Sequence, residues 1–142
     1  MNTFELEIVS MDGSHYRGAV QMVTCRSVAG DVAILARHCN YCTAVGMGTS
    51  KVVMADGTER YAACMGGMLS VVKGKCRMIV TIWEWSDDID VERAERAKER
   101  AEQKLQEPGL DEHERQSQEA RVRRAEVRIA AARRIKTLGK TM

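Results

Sequence analysis

Residues 89 to 105 read IDVERAERAKERAEQKL, and this stretch decides the fold because the repeat of the apolar residues changes there. Upstream, apolar and polar residues alternate, which is typical of strands with one buried face. From Val91 onward, the apolar residues recur every three to four positions, as they do on one face of a helix. We therefore predict sheet before Ile89 and helix after it.

The first predicted helix has a narrow apolar stripe made mostly of alanine. The stripe consists of Val91, Ala94, Ala97 or Lys98, Ala101 and Leu105. Asp90 precedes the helix and is expected to cap it, because its carboxylate can accept hydrogen bonds from the free backbone N–H groups. Alanine buries little apolar area, and burial stabilises by only about 25 cal/mol per Å². We therefore expect this helix to be held weakly by whatever it packs against.

A second helix is predicted after the interruption at Pro108-Gly109. Asp111 and Glu114 have the spacing of a capping box, and the helical pattern runs to about Lys136. The apolar stripe of this helix is again thin and consists of Val122, Ala125, Ile129 and Ala132. The short connection predicts that the two helices form an antiparallel hairpin.

The first 85 residues contain many short alternating runs, beginning with Phe4 to Ile8. Turn signals separate these runs at Asp56-Gly57, Gly66-Gly67 and Lys73-Gly74. We expect Gly66-Gly67 to be a turn or a bulge rather than a phosphate-binding loop. Short strands without intervening helices predict a β-sandwich or flattened barrel. The fold class is therefore α+β, with an antiparallel sandwich at residues 1–86 and an antiparallel two-helix hairpin at residues 87–142.

The composition fits one compact core with a small appendage, since 44% of the 142 residues are hydrophobic. No run of eighteen apolar residues and no signal-peptide pattern occurs, so we expect a soluble cytoplasmic protein. Residues 1–87 carry eight basic and eight acidic side chains, whereas residues 115–142 carry nine basic and two acidic ones. Such a basic end is either a solvated face or a docking surface for an acidic partner.

Two other classes of function are open from the residues alone. The spacing of Cys39 and Cys42 is that of zinc and thiol-redox sites, so the alternative is a small cytosolic zinc or thiol-redox protein, although no second pair of ligands follows at zinc-finger spacing. The basic face from Arg121 to Arg134 permits nucleic-acid binding, but it contains no aromatic residue for base stacking. No catalytic-triad, metalloprotease or P-loop motif occurs.

Four motifs, in this order, resemble those of the epsilon subunit of the F-type ATP synthase. GDVAILARH at 30–38 is similar to that family's G-E-I-G-I-L-P-G-H, and GGMLSV at 66–71 is similar to its G-G-F-L-E-V. IDVERA at 89–94 matches I-D-x-x-R-A, and Arg124 to Arg128 matches R-A-x-x-R. The chain departs from the family where Ala33, Ala36, Arg37, Cys39 and Asn40 replace glycine, proline, glycine, alanine and proline.

The resemblance implies a non-catalytic stalk subunit of a rotary ATP synthase, peripheral to the cytoplasmic face of a bacterial membrane. The sandwich would contact the gamma subunit and the ring of c subunits and couple ion flow to ATP synthesis. The hairpin would be movable and would inhibit ATP hydrolysis at the alpha and beta catalytic subunits. No cofactor is required and no nucleic-acid partner is expected, but ATP is implied as a regulatory ligand.

The resemblance also implies three groups of site residues. The ATP-binding group is Ile89, Asp90, Arg93, Ala94, Arg100, Arg124 and Arg128. The group that contacts gamma and the c-ring is Asp31, Arg37 and His38. The group that contacts the catalytic subunits is Arg133, Arg134 and Lys136.

Overall fold

The chain forms seven strands and then two helices, in a computed structural model that describes the backbone of residues 2–141 and the side chains of residues 2–134. The strands are β1 (Phe4–Ser10), β2 (Gly13–Ser27), β3 (Gly30–Leu35), β4 (Tyr41–Met54), β5 (Glu59–Val72), β6 (Lys75–Val80) and β7 (Trp83–Trp85). One 3₁₀ turn over Ser86–Asp88 leads into α1 (Val91–Leu105), and α2 covers Glu112–Thr141. The predicted change from sheet to helix at Ile89 is confirmed.

The strands form one sheet that closes on itself. Their order is β1-β6-β5-β4-β2-β3, and β1 also pairs with β2, so five strands form a ring with β3 outside it. The ring encloses the main core, in which Leu6, Ile8 and Val20 are fully buried. This is the predicted flattened barrel, with one departure: β1 and β6 pair in parallel, whereas the other pairs are antiparallel.

Strand β5 is covered on both faces, which explains its long run of buried residues. Ala62 and Cys64 point into the main core, while Ala63 and Met65 lie in a second cluster under α2. Trp83 and Trp85 also enter the main core, with ring centroids 5.3 Å apart and nearly perpendicular planes. A strand covered on both faces loses the alternation that makes a half-buried strand recognisable.

The turn or bulge predicted at Gly66-Gly67 is wrong, because β5 runs through both residues, with an unchanged register against β4 on either side of Gly66 and against β6 from Gly67 onward. The glycines are needed for another reason. Gly67 has a φ of +149°, and a Cβ atom there would lie 2.1 Å from the carbonyl oxygen of Ile79. The two backbones therefore approach too closely for any side chain.

The predicted turns at Asp56-Gly57 and Lys73-Gly74 are confirmed. Oδ1 of Asp56 accepts a hydrogen bond from the N–H of Thr58 at 2.9 Å, and hydrogen bonding by Thr58 lowers the pKa of the Asp56 carboxyl. Lys73 and Gly74 both have positive φ, as a two-residue hairpin loop between β5 and β6 requires.

Both helices begin where the sequence predicts. Oδ1 of Asp90 accepts a hydrogen bond from the N–H of Arg93 at 3.1 Å, and Oδ1 of Asp111 accepts one from the N–H of Glu114 at 2.7 Å. α2 continues to Thr141, beyond the predicted end near Lys136, because the single glycine in its last turns weakens a helix without ending it. Over the described residues, neither helix combines the length and the apolar character that a membrane span needs.

The hairpin rests on the sandwich through α2, which packs on β4 and β5. We call the apolar contact the seam; its buried members are Ala63, Met65, Ile89, Ala131 and Ala132. One buried hydrogen bond crosses it, from Oγ of Ser86 to the carbonyl oxygen of Ala131 at 2.9 Å. Three of the five buried members are alanines, and Met47, Ile82, Val91 and Val127 pack against them partly buried, so the seam buries little apolar area per residue.

Candidate anion-binding groove

The two helices form a groove on one side of the hairpin, with a volume of about 360 Å³. We call it the basic groove; it is lined by Ala97, Arg100, Ala101 and Lys104 of α1 and by Gln118, Arg121, Arg124, Ala125 and Arg128 of α2. These positions recur at three- and four-residue spacing, so they form one face of each helix. The buried alanines Ala101 and Ala125 let the helices approach closely, and the longer cationic side chains stand around them.

A second cavity of about 360 Å³ adjoins the basic groove at its sandwich end. This junction pocket is lined by Glu84, Asp88, Asp90, Arg93, Ala94, Ala97, Arg100 and Arg128. It shares Ala97, Arg100 and Arg128 with the basic groove, so the two cavities lie side by side along the hairpin. The junction pocket mixes carboxylates and guanidiniums, whereas the basic groove has five cationic side chains and no carboxylate.

The cations of the basic groove are poorly neutralised by the protein itself. Arg128 is the exception, since its Nε lies 2.9 Å from Oε2 of Glu84. Within the part of the chain that the structure describes, Arg100, Lys104, Arg121 and Arg124 form no ion pair within 4 Å. Clustered guanidinium and ammonium groups without carboxylate partners are suited to bind phosphate groups.

The structure brings together six of the seven predicted ATP-binding residues. Asp90, Arg93, Ala94, Arg100 and Arg128 line the junction pocket, and Arg124 joins Arg100 and Arg128 in the basic groove. Ile89 is different, because its side chain is buried in the seam rather than lining either cavity. The Asp90 carboxylate is engaged as the cap of α1.

Five further polar lining residues were missed by the reasoning from sequence: Glu84, Asp88, Lys104, Gln118 and Arg121. Lys104 lies one turn beyond Arg100, and Arg121 lies one turn before Arg124, so helical spacing could have found both. Glu84 reaches the site from β7, 44 residues away from Arg128 along the chain, and no local pattern points to it.

The three residues predicted to contact gamma and the c-ring do not lie together. Asp31 is at the start of β3 and lines a separate cavity of about 190 Å³ with Lys51, Tyr61 and Arg134. Arg37 and His38 follow the other end of the strand, which is about 20 Å away at the usual rise per residue. The structure therefore separates Asp31 from the other two.

Arg37 and His38 lie in the connection between β3 and β4. Arg37 has a φ of 65°, in the left-handed region, at the position where the resembling family has glycine. Glycine adopts this conformation without strain, whereas an arginine does not. Nδ1 of His38 is 2.8 Å from the carbonyl oxygen of Cys39, and Oδ1 of Asn40 accepts a hydrogen bond from the N–H of Lys73 at 3.0 Å.

The residues predicted to contact the catalytic subunits point in different directions. Arg134 turns toward the sandwich, with its guanidinium carbon 5.6 Å from the ring centre of Tyr61. Arg133 is exposed and lines a cavity on another side of the hairpin, together with Glu95 and Glu99. The side chain of Lys136 lies outside the described residues.

The five cysteines fall into two classes. Cys25, Cys64 and Cys76 are buried, and burial raises the pKa of all three thiols, to about 11 for Cys25 and about 12 for Cys76. Cys39 and Cys42 are exposed, and all five thiols are free. Among the described residues, no group of three or more histidine, cysteine or acidic side chains is placed to hold a metal ion, so the zinc alternative lacks a ligand set.

The comparisons with known proteins follow the same two-part division. The beta-sandwich domain of the ATP synthase delta/epsilon chain matches residues 3–86, and the long alpha-helix domain of that chain matches residues 87–133. The chain therefore belongs to the ATP synthase delta/epsilon chain family.

Its relatives within that family are epsilon chains. The chain is 41% identical to the one from Staphylococcus aureus, over 75% of this chain and 79% of the relative, and 35% identical to the one from Caldicellulosiruptor bescii, over 81% and 84%. It is 30% identical to the sodium ion specific epsilon chain of Acetobacterium woodii, over 77% and 82%. The chain is thus an epsilon-type, non-catalytic subunit of an F-type ATP synthase, and this replaces the zinc or thiol-redox alternative.

Solved structures agree on the fold. A chain of the Euglena gracilis mitochondrial ATP synthase, from the assembly of OSCP, F1 and c-ring, aligns with a TM-score of 0.80 at 24% identity, over 92% of this chain and 82% of that one. A chain of the Tetrahymena thermophila central stalk and c-ring aligns with a TM-score of 0.57 at 13% identity, over 90% and 95%. At these sequence identities, the two structural alignments establish the fold that the chains share.

Proposed function

We propose that this chain couples ion flow through a ring of c subunits to ATP synthesis, with its sandwich bound to the gamma subunit and to that ring. Its place would be the cytoplasmic face of a bacterial membrane, held there through the complex. The proposal is supported by family membership and by the two aligned chains, which come from assemblies that contain a c-ring.

One end of the sandwich has the side chains that such a contact needs. Leu35 at the end of β3 is 55% exposed, and Val72 at the end of β5 is 54% exposed. Tyr41 begins β4 beside them, and Arg37 and His38 lie in the connection just before it. Exposed apolar side chains mixed with a cation and an imidazole are typical of a protein–protein contact. We assign the gamma or c-ring contact to this end, without Asp31.

The second part of the proposal is that the hairpin swings away from the sandwich and inhibits ATP hydrolysis at the alpha and beta subunits. The seam supports it, because alanine supplies three of its five buried members and one hydrogen bond and one partly exposed ion pair join the two parts, so a partner or ligand can overturn the docked state. On release, Arg133, Arg134 and Lys136 would be available to an acidic surface of a catalytic subunit.

The third part is that ATP is a regulatory ligand that favours the docked hairpin. The observation that carries it is the pair of adjoining cavities, the junction pocket and the basic groove, which are walled by both helices and, in the junction pocket, by Glu84 of the sandwich. A ligand that touches all three elements binds the docked arrangement better than a released one and therefore shifts the population toward it.

The inhibitory role is tested by overfilling the seam with Ala131→Leu, since Ala131 is 0% exposed. Added methylenes in a packed contact cost about 1–3 kcal/mol, which should release the hairpin and lower the ATP hydrolysis rate of the reconstituted synthase. Ala130→Leu is the matched control, because its neighbour Ala130 is exposed. Deleting residues 87–142 should remove the inhibition of ATP hydrolysis, because the hairpin is then absent. A hydrolysis rate for Ala131→Leu equal to that of the parent would refute the inhibitory hairpin.

The regulatory role of ATP is tested separately by hydrogen exchange of residues 90–136 in the isolated chain. Added ATP should slow exchange in both helices, because it stabilises the docked hairpin. Exchange that does not respond to saturating ATP would overturn the regulatory role of ATP and leave the coupling and inhibitory roles in place.

A further inference from the structure

Two exposed cysteines lie close together in the sequence where β3 connects to β4. Cys39 belongs to the connection and Cys42 is the second residue of β4, so two residues separate them. Both thiols are free and exposed, whereas Cys25, Cys64 and Cys76 are buried. Cys39 stands where the family pattern has alanine, so the arrangement is a feature of this chain. We call Cys39 and Cys42 the thiol pair.

The backbone of the thiol pair is bent rather than extended. A disulfide needs Cα atoms about 4.4–6.8 Å apart, whereas three extended residue steps would span about 10 Å. The chain bends at Asn40, between the two cysteines, and this shortens the span. The bend also contacts the neighbouring hairpin, because Oδ1 of Asn40 accepts a hydrogen bond from the N–H of Lys73 at 3.0 Å. The fold therefore presents both thiols on one short bend.

Cys39 has a polar group beside its sulfur atom. Its Sγ lies 3.9 Å from Nδ1 of His38, and the same nitrogen lies 2.8 Å from the carbonyl oxygen of Cys39. Because a carbonyl oxygen only accepts, Nδ1 carries the proton in this contact and is a donor that the sulfur can also use. An exposed thiol beside a donor can react with a disulfide reagent, whereas a thiol buried in a core is inert.

We propose that the thiol pair is a redox modification site, at which a low-molecular-weight disulfide oxidises Cys39 and Cys42 to an intrachain disulfide. One thiolate of the pair attacks a sulfur of the oxidant, whose S–S bond breaks as the first small thiol leaves. The other thiolate then attacks the mixed disulfide, the S–S bond of the pair forms, and the second small thiol leaves. The pair loses two electrons and two protons, which the two released thiols carry away.

The modification is suited to reversal. The new disulfide would close a loop that contains only Asn40 and Tyr41. So short a loop restricts the unfolded chain little, and an exposed disulfide is open to attack by a small thiol. The thiol pair therefore suits a regulatory role rather than a structural cross-link.

Oxidation would act on the end of the sandwich to which we assign the gamma or c-ring contact. Arg37 and His38 directly precede Cys39, and Tyr41 lies inside the new loop. Drawing the two sulfur atoms together displaces these side chains from their positions in the reduced chain, so oxidation should weaken the contact. This consequence rests on the proposed function, whereas the disulfide itself does not.

The disulfide is tested by treating the full chain with oxidised glutathione and measuring the intact mass. The parent should lose two hydrogen atoms and retain no glutathione, and dithiothreitol should restore the original mass. Cys42→Ser is the matched variant, because its single exposed thiol can form only a mixed disulfide and should retain one glutathione. A parent that keeps glutathione, that stays reduced when Cys42→Ser reacts, or that links to a second chain overturns the modification site.

The effect on binding is measured by adding the reduced or the oxidised chain to a synthase that lacks this subunit. The oxidised chain should bind at least about tenfold more weakly, the effect of losing one important interface contact. Cys39→Ser/Cys42→Ser is the control and should bind equally before and after treatment with oxidised glutathione.

The outcomes separate this inference from the proposed function. Equal affinity of the oxidised and reduced parent overturns the redox control of binding. Failure of the reduced parent to bind the synthase overturns the proposed contact with gamma and the c-ring. In that case the mass measurement still decides whether the thiol pair is a modification site.

Discussion

The Nε atom of Arg128 lies 2.9 Å from Oε2 of Glu84, and this ion pair joins the helical hairpin to the sandwich at the point where the junction pocket meets the basic groove. The same guanidinium is one of the groups suited to a phosphate. Glu84 therefore holds the hairpin in place and also competes with any anion for Arg128.

We predict that Glu84→Gln has two opposite effects. The free energy of unfolding should fall by about 0.5–1 kcal/mol, since the pair is partly exposed. ATP should bind several-fold more tightly, because a negative charge beside the anion is removed. Urea denaturation measures the free energy of unfolding, and calorimetric titration measures the affinity for ATP. Glu7→Gln is the control, as Glu7 pairs with Arg77 at 3.2 Å on the sheet, away from the groove. Weaker ATP binding would contradict the prediction.

Glycine is required at position 67 by the contact between β5 and β6. Gly67→Ala should destabilise the chain by more than about 3 kcal/mol or prevent folding, because the new Cβ would meet the backbone of Ile79 at 2.1 Å. Gly57→Ala is the comparison, with positive φ but nothing within 4 Å, and should cost only about 1 kcal/mol. Thermal denaturation by circular dichroism gives both values. Equal losses of stability in the two variants would show that the positive φ, and not the contact with Ile79, makes the substitution at position 67 costly.

A small gain in stability is expected from restoring glycine at Arg37. The left-handed φ of 65° costs a non-glycine residue about 1 kcal/mol, and Arg37→Gly removes that cost. Glycine also raises the conformational entropy of the unfolded chain, which offsets part of the gain. We expect an increase of about 0.5 kcal/mol in the free energy of unfolding. Arg37→Ala keeps the strain and should give no gain. If both variants stabilise the protein equally, the arginine side chain and not its backbone is responsible.

Thiol alkylation should divide the cysteines according to burial. In the native protein at pH 8, iodoacetamide should modify Cys39 and Cys42 rapidly and leave Cys25, Cys64 and Cys76 unmodified, since burial excludes the reagent and raises the pKa of those three thiols. Mass spectrometry should therefore count two adducts in the folded chain and five in urea. Rapid modification of Cys76 in the native state would show that the core opens at low cost.

Interactions within a few residues were readable from the sequence. The caps at Asp90 and Asp111 and the turn at Asp56-Gly57 are confirmed because each depends on a side chain and a backbone group two or three positions apart. Arg100 of α1 and Arg124 of α2, both members of the predicted ATP-binding group, line one groove because each lies on the face of its helix that borders the other helix.

By itself, then, the sequence determined the change from sheet to helix and the helix starts, since local hydrogen bonds and periodicity decide these, whereas the six predicted residues of the two cavities came from the resemblance to a known family. Only the tertiary structure decided that Glu84 reaches Arg128, that Gly67 lies against Ile79, and that Asp31 is remote from His38. The first two relationships join residues distant in the chain and depend on which strands pair and on how α2 packs across β5, whereas the third follows from the extended length of β3.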